Sequence, residues 1–165
     1  MRQDAAVTDP VWALASATRY AFHDWPVAAV PEVAAGVYVI WDEDQLIYVG
    51  MSGRGATSSL LEAKRSEGKR FGLFQRLASH ASGRRGGDQF CVYVADLLVL
   101  PELSADQIDA ISRKELLFDK LVKGYIHSNL KFGFIETSSG DEALRIEAEI
   151  KSGALGQKPF LNPTN

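Results

Sequence analysis

Two runs rich in β-branched and aromatic residues, 36–41 (Gly36-Val37-Tyr38-Val39-Ile40-Trp41) and 46–50 (Leu46-Ile47-Tyr48-Val49-Gly50), flank the polar Asp42-Glu43-Asp44-Gln45. That pattern predicts a β-hairpin. Upstream, residues 9–24 open on Asp9-Pro10, an N-cap followed by proline at the first helical position. They carry Val11, Trp12, Leu14, Ala15, Tyr20 and Phe22, and predict a helix on the core, ended near Trp25-Pro26. Downstream, residues 58–67 predict a short helix, and Phe71 to Ser82 a second, closed by Gly83. Gln89 to Leu100 gives the clearest strand: Phe90, Val92 and Val94 alternate with Cys91, Tyr93 and Ala95, so it is expected to be covered on both faces. Ser104 opens a long helix to about Tyr125, with Ile108, Ile111, Leu116, Leu117, Leu121 and Val122 as its core stripe. Lys131 to Thr137 predicts another strand. Ser139 starts a last helix that Gly153 closes, and the proline-rich tail 158–163 is neither helix nor central strand. This order predicts an α+β domain with a small antiparallel or mixed sheet of three to four strands flanked by helices.

Composition narrows the class. At 165 residues the chain fits one domain with a substantial core. No apolar run reaches the roughly 18–20 residues that span a bilayer. The start, Met1-Arg2-Gln3-Asp4, lacks the signal-peptide pattern. The single cysteine, Cys91, excludes an internal disulfide and a cysteine-based zinc site, and its apolar neighbours make it a core residue. A cytoplasmic location away from any membrane is expected. The net charge of −3 argues against a non-specific polyanion binder, but the charge is uneven. Between Arg54 and Arg85 lie eight basic residues and only two acids, the asymmetry a face for a polyanion needs.

Helical spacing selects the candidate chemistry. Arg76 and His80 lie four apart and share a helix face. Glu147 has Ala143, Leu144 and Ile150 at three or four residues, which puts it on the apolar side, whereas Glu149 looks solvated. A carboxylate on a buried side is costly unless it is paired or holds a cation. His127 and Ser52 are weaker candidates, lacking partners at useful spacing, and Lys123 and Tyr125 could touch DNA, although a helix end often carries a basic residue anyway.

Gly36-Val37-Tyr38 and Tyr48-Val49-Gly50 resemble the signature of the GIY-YIG nuclease family, with valine for both isoleucines. The stretch from Leu73 to His80 resembles the family's helix bearing an arginine and, one turn later, a histidine. Ala143-Leu144-Arg145-Ile146-Glu147 resembles the stretch with its metal-binding glutamate, and Asn162 its closing asparagine. The resemblance runs from Gly36 to Asn162. It divides the chain into an N-terminal helix and linker, 1–30, and a nuclease-like domain, 31–165, with residues 53–72 as an insertion. It implies a metal-dependent endonuclease that hydrolyses DNA phosphodiesters. Glu147 would bind Mg²⁺ or Mn²⁺, Arg76 a phosphate oxygen, and Tyr38, assisted by His80, would deprotonate or orient the water. Tyr48 would hydrogen-bond the phosphate or water, and Asn162 would fix the C-terminal segment against the site. Arg54, Lys69, Arg70, Arg84 and Arg85 would line a DNA groove. The family often has a lysine where this chain has Met51, which throws more work onto Tyr38 and His80. No zinc finger or helix-turn-helix is appended, so target selection is expected from this domain, a homodimer or a partner protein. An idle nucleic-acid-binding module, a protein–protein scaffold with an accidental motif and an RNA-directed nuclease are the alternatives.

A shared tyrosine site sets a condition on the hairpin. Because side chains alternate, pairing Trp41 with Leu46 throughout would put Tyr38 and Tyr48 on opposite faces. An even register or a β-bulge is therefore expected.

Overall fold

The computed structural model describes residues 8–164. The reading of Met1-Arg2-Gln3-Asp4 lies outside them. In chain order the elements are α1 (Pro10–Ala15), β1 (Tyr20–Ala21), a 3₁₀ turn, β2 (Val33–Asp42), β3 (Gln45–Ser52), α2 (Ser58–Ser66), β4 (Phe71–Gly72) and α3 (Leu73–Ser82). Then come α4 (Gln89–Val94), which runs on through a π-helical stretch to Val99, α5 (Ala105–Ser112), α6 (Phe118–Asn129), β5 (Leu130–Thr137) and α7 (Gly140–Lys151).

The architecture is α+β. Its sheet has the order β1-β5-β2-β3, antiparallel throughout, and two-residue β4 adds in parallel at the start of β2. That makes five strands instead of three or four, two of them only two residues long. Strand β2 is buried along nearly its whole length because both sheet faces are covered. One face carries Tyr38, Ile40, Ile47 and Phe132 and packs with buried residues of α3, α4 and α6. The other carries Val37, Val39, Trp41, Leu46 and Val49 beneath α7 and Leu14 of α1. The N-terminal segment belongs to the same body, since β1 pairs with β5 and Phe22 lies in the core. No helix among the described residues is long and apolar enough to cross a membrane.

The hairpin meets the condition set above. At its tip Trp41 pairs with Leu46; further in, Ile40 pairs with Tyr48, and Tyr38 with Gly50. A bulge absorbs the change of register, so Ile47 and Tyr48 both turn to the α3 side. The two tyrosines now share a face. Gly50 is the residue opposite Tyr38, and a Cβ there would lie 2.1 Å from the Tyr38 hydroxyl, so the missing side chain is the space the phenol occupies.

Four expectations are corrected. The strand expected over Gln89–Leu100 is helical. An all-apolar run suits either state, and Asp88 decides by capping α4, its side chain accepting from Cys91 N. Phe90, Cys91, Val94 and Ala95 then form one buried stripe. The long helix to Tyr125 is two helices. Lys114, in the left-handed region at φ 61°, ends α5, with Glu115 N–H donating to Ala110 O and Lys114 N–H to Ile111 O. This is a Schellman closure without its usual glycine. The helix expected over 9–24 stops at Ala15, because Tyr20 joins the sheet and Phe22 starts the 3₁₀ turn, both packing on Phe132 with ring centroids 5.7 and 4.9 Å away. The expected helix 71–82 loses only Phe71-Gly72, taken by β4.

Candidate active site

Strand β3 is the open edge of the sheet, and there the two helical layers meet around it. The C-terminal segment covers its first half. Phe160 and Leu161 donate N–H to Leu46 O and Ile47 O, and Asn162 bonds both ways with Val49, accepting from its N–H and donating to its C=O, each at 2.9 Å. Asn162 therefore clamps the tail to the strand that carries Tyr48. Beyond Val49 the edge opens into a cleft of 220 Å³ lined by Tyr38, Tyr48, Met51, Ser52, Arg54, Arg76 and Glu147, with backbone from Gly50 and Gly53.

Four elements supply these groups. Tyr38 comes from β2 and Tyr48 from β3, their rings 6.3 Å apart. Arg76 stands on the exposed side of α3, one turn before the buried His80. Glu147 reaches in from α7 on the opposite face of the sheet. Its side chain is 13% exposed and its carboxylate lies 3.3 Å from Lys151 Nζ. Ala143 and Ile150 flank it in the core, but Leu144, expected on the same face, is exposed. Glu149 points to solvent and pairs with Arg145 at 2.8 Å.

Behind the cleft runs a hydrogen-bond chain. Tyr38 Oη lies 2.8 Å from His80 Nε2, and His80 Nδ1 lies 2.7 Å from Asp88 Oδ2. All three side chains are buried. Burial pushes the Asp88 carboxyl up, but the hydrogen bond and charge of His80, the Ser79 hydroxyl and Cys91 N–H outweigh it and hold Asp88 below its ordinary range. Asp88 is thus ionised at neutral pH and can only accept. His80 Nδ1–H must donate to it, which leaves Nε2 as the acceptor for Tyr38 O–H. Burial also keeps His80 below its usual 6.5, against the opposing pull of Asp88 and with help from Arg76, so the ring is neutral at pH 7. Burial raises the Tyr38 phenol well above its ordinary value, with Tyr48 adding to it. Tyr48, also desolvated, is pushed up to about 12. A phenol in this state is no free-standing base. What the chain permits is relay: as Tyr38 accepts a proton on its cleft side, it passes its own to His80, and Asp88 stabilises the resulting imidazolium.

Sequence reasoning missed Asp88. It lies eight residues past His80, beyond the end of α3, and only the turn after Gly83 brings it back beneath the helix. An aspartate just before an apolar run was the available signal, as an N-cap.

The basic residues divide. Arg54 and Arg76 line the cleft and make no salt bridge among the described residues. Lys69 pairs with Glu67 at 3.3 Å, and Arg70 pairs with Glu32 while stacking on Phe74. Both line a second depression that shares Phe71 and Gln75 with a cavity next to the cleft. Arg84 and Arg85 lie past the other end of α3, where Arg85 pairs with Asp119 and stacks on Phe118. Of the weaker candidates, Ser52 lines the cleft, whereas Tyr125 donates to Asp42 and His127 Nε2 lies 2.7 Å from Ala81 O.

Among the described residues no three metal-ligating side chains cluster, and Glu147 is the one carboxylate lining the cleft. A single carboxylate beside hydroxyl oxygens does not suit zinc. It fits a magnesium-like ion, which keeps most of its waters and completes its shell from substrate phosphate. No protein-family model, no curated protein and no solved structure matches this chain.

Proposed function

We propose that this protein is a Mg²⁺- or Mn²⁺-dependent endonuclease of the GIY-YIG type that hydrolyses DNA phosphodiester bonds. The observation that carries the reading is the convergence, on one cleft, of two tyrosines, two arginines without a salt bridge among the described residues and one carboxylate, with a buried His80–Asp88 pair behind Tyr38. Each group has a task in phosphodiester hydrolysis. Arg76 neutralises charge growing on the non-bridging oxygens. Tyr38 orients the attacking water and passes a proton to His80. Tyr48, with its proton held firmly, donates to a phosphate oxygen or to the water. Glu147 would hold the metal ion, which when bound supplies Lewis-acid stabilisation of the phosphate and the leaving oxygen. Asn162 anchors the tail and thereby the edge strand, a positioning part.

The test is digestion of single-stranded, duplex and branched DNA with purified protein in Mg²⁺, in Mn²⁺ and in EDTA, with RNA of the same sequences alongside. Cleavage of DNA that EDTA abolishes is the expected result. Binding of DNA without cleavage in either metal makes the protein an idle module and refutes the reading. Cleavage confined to RNA moves the substrate class and leaves the chemistry.

A further inference from the structure

Ser52 ends β3 and is 5% exposed, and its hydroxyl is the one buried side-chain polar atom among the described residues with no hydrogen-bond partner. Leaving a buried hydroxyl unpaired is costly, so such a group calls for an explanation. Ser52 lines two adjoining hollows. One is the cleft above. The other, of 250 Å³, is lined in addition by Phe71, Gly72, Gln75 and Ser79. The two share Ser52, Gly53, Arg54 and Arg76.

The second hollow is suited to an anion. No carboxylate lines it, and both its arginines lack a salt bridge among the described residues. It borders the first turn of α3, whose N-cap Gly72 offers no side-chain acceptor, at the positive end of a ten-residue helix. A hydroxyl donor, two guanidinium groups and a helix start together match a tetrahedral oxyanion carrying several acceptors.

We propose that this second hollow is a phosphate subsite, adjoining the cleavage centre, which holds a backbone phosphate flanking the scissile one through Ser52 Oγ and Arg54, beside the Arg76 that serves the scissile phosphate. The identity of the phosphate as part of a nucleic-acid strand rests on the nuclease reading; the affinity for phosphate does not. Arg76, like Arg54, lines both hollows, so one nucleic-acid strand can place successive phosphates against the same pair of arginines. The flanking contact is the same before and during the reaction, so it contributes binding and little rate.

The experiment uses two probes on the full chain without divalent metal: inorganic phosphate, and a short single-stranded oligodeoxynucleotide. Backbone amide NMR shifts at Ser52, Gly53 and Gln75 are followed for wild type and Ser52→Ala. Both probes should shift these amides, and Ser52→Ala should weaken each by about tenfold, the worth of one hydrogen bond to a charged group. Thermal melting should show Ser52→Ala at least as stable as wild type, since it removes an unpaired buried hydroxyl. In a cleavage assay the variant's KM should rise more than its kcat falls. If wild type cleaves DNA while phosphate leaves these amides unmoved and Ser52→Ala keeps its KM, the subsite is refuted and the nuclease reading stands. If phosphate shifts them but no metal supports cleavage, the subsite stands and the nuclease reading fails. A loss of melting temperature in Ser52→Ala assigns the hydroxyl a structural partner and overturns the proposal.

Discussion

Asp88→Asn tests the relay most directly, because the change is isosteric and its consequences can be worked out atom by atom. Asp88 Oδ1 accepts Cys91 N–H, and Oδ2 accepts from Ser79 Oγ–H and His80 Nδ1–H. An asparagine has one acceptor oxygen. If it stays on Cys91, the amide NH₂ faces His80 Nδ1, which must become an acceptor. The imidazole proton then moves to Nε2 and points at Tyr38, so His80 can no longer take the tyrosine's proton. If the amide flips, His80 keeps its tautomer, but an N–H₂ faces Cys91 N–H and α4 loses its cap. Loss of the cap costs about 1 kcal/mol, and the orphaned buried donor about 1–3 kcal/mol. The first arrangement is therefore expected. Cleavage should fall by about 10²–10⁴, the usual worth of a positioned acid–base group, with DNA affinity intact and stability reduced by about 1–3 kcal/mol through weaker bonds to Ser79 and His80. Plasmid nicking measures the rate, urea unfolding the stability, and long-range ¹H–¹⁵N spectra which ring nitrogen carries the proton. A folded Asp88→Asn enzyme with the inverted tautomer and wild-type kcat would refute the relay.

Glu147→Gln should reduce cleavage by at least about 10²–10³ while leaving folding and DNA binding intact, because the pair it breaks, with exposed Lys151, is of the weak surface kind; Glu149→Gln is the control, and equal activity of the two variants removes Glu147 from the reaction. Gly50→Ala drives a methyl into the Tyr38 hydroxyl and should cost about 1–3 kcal/mol along with nearly all activity; a folded, active variant would show that the phenol need not lie where it does. Acid should weaken the fold in two stages. The His80 pKa is lower folded than unfolded, so stability is complete above pH 6.5 and falls below it, as the unfolded chain binds a proton the folded one refuses. The Asp88 pKa is also depressed, from an ordinary 3.8, so its contribution holds above that pH and is lost as the pH falls through the folded value. Urea unfolding between pH 7.5 and 5 should show the first stage in wild type and not in His80→Gln; equal slopes refute that assignment. Neutralising Arg54 should lower the salt dependence of DNA binding by about one unit of slope, and neutralising Arg85, already paired with Asp119, should change it less; the reverse order would move the groove to the far end of α3.

What could be read from the chain depended on how local the cause was. The hairpin, α2, α3, β5 and α7 each carry their own signal: alternation, a cap, a closing glycine, or a one-sided apolar stripe. Tyr38, Tyr48, Arg76, His80 and Glu147 followed from spacing and motif order, and the structure brings them to one region. The failures had causes farther away. Residues 89–100 are apolar on every side and take their form from a cap at Asp88 and from packing against α6. The break at Lys114 uses a left-handed lysine where a glycine would have announced it. Tyr20 and Phe22 left the helix pattern for aromatic partners more than a hundred residues downstream.

The same distinction explains how the cleft is built. Its cleft-facing groups sit on four elements from both sides of the sheet, and they can meet only at an edge. A bulge gives Tyr48 the face of Tyr38, Gly50 leaves room for the phenol, and the edge would still be free to slip or pair with another chain. Asn162 prevents that by occupying both backbone groups of Val49, the residue before Gly50, where the cleft opens. The tail thus blocks the edge up to the point where the cleft begins and stops there. Asn162→Ala should accordingly lower stability by about 1–3 kcal/mol, since two buried backbone groups lose their partners. It should lower activity through a displaced Tyr48, with the Tyr38–His80 bond unchanged by NMR. If Asn162→Ala were as stable as wild type but inactive, the asparagine would be acting on the substrate itself, and its positioning role would be wrong.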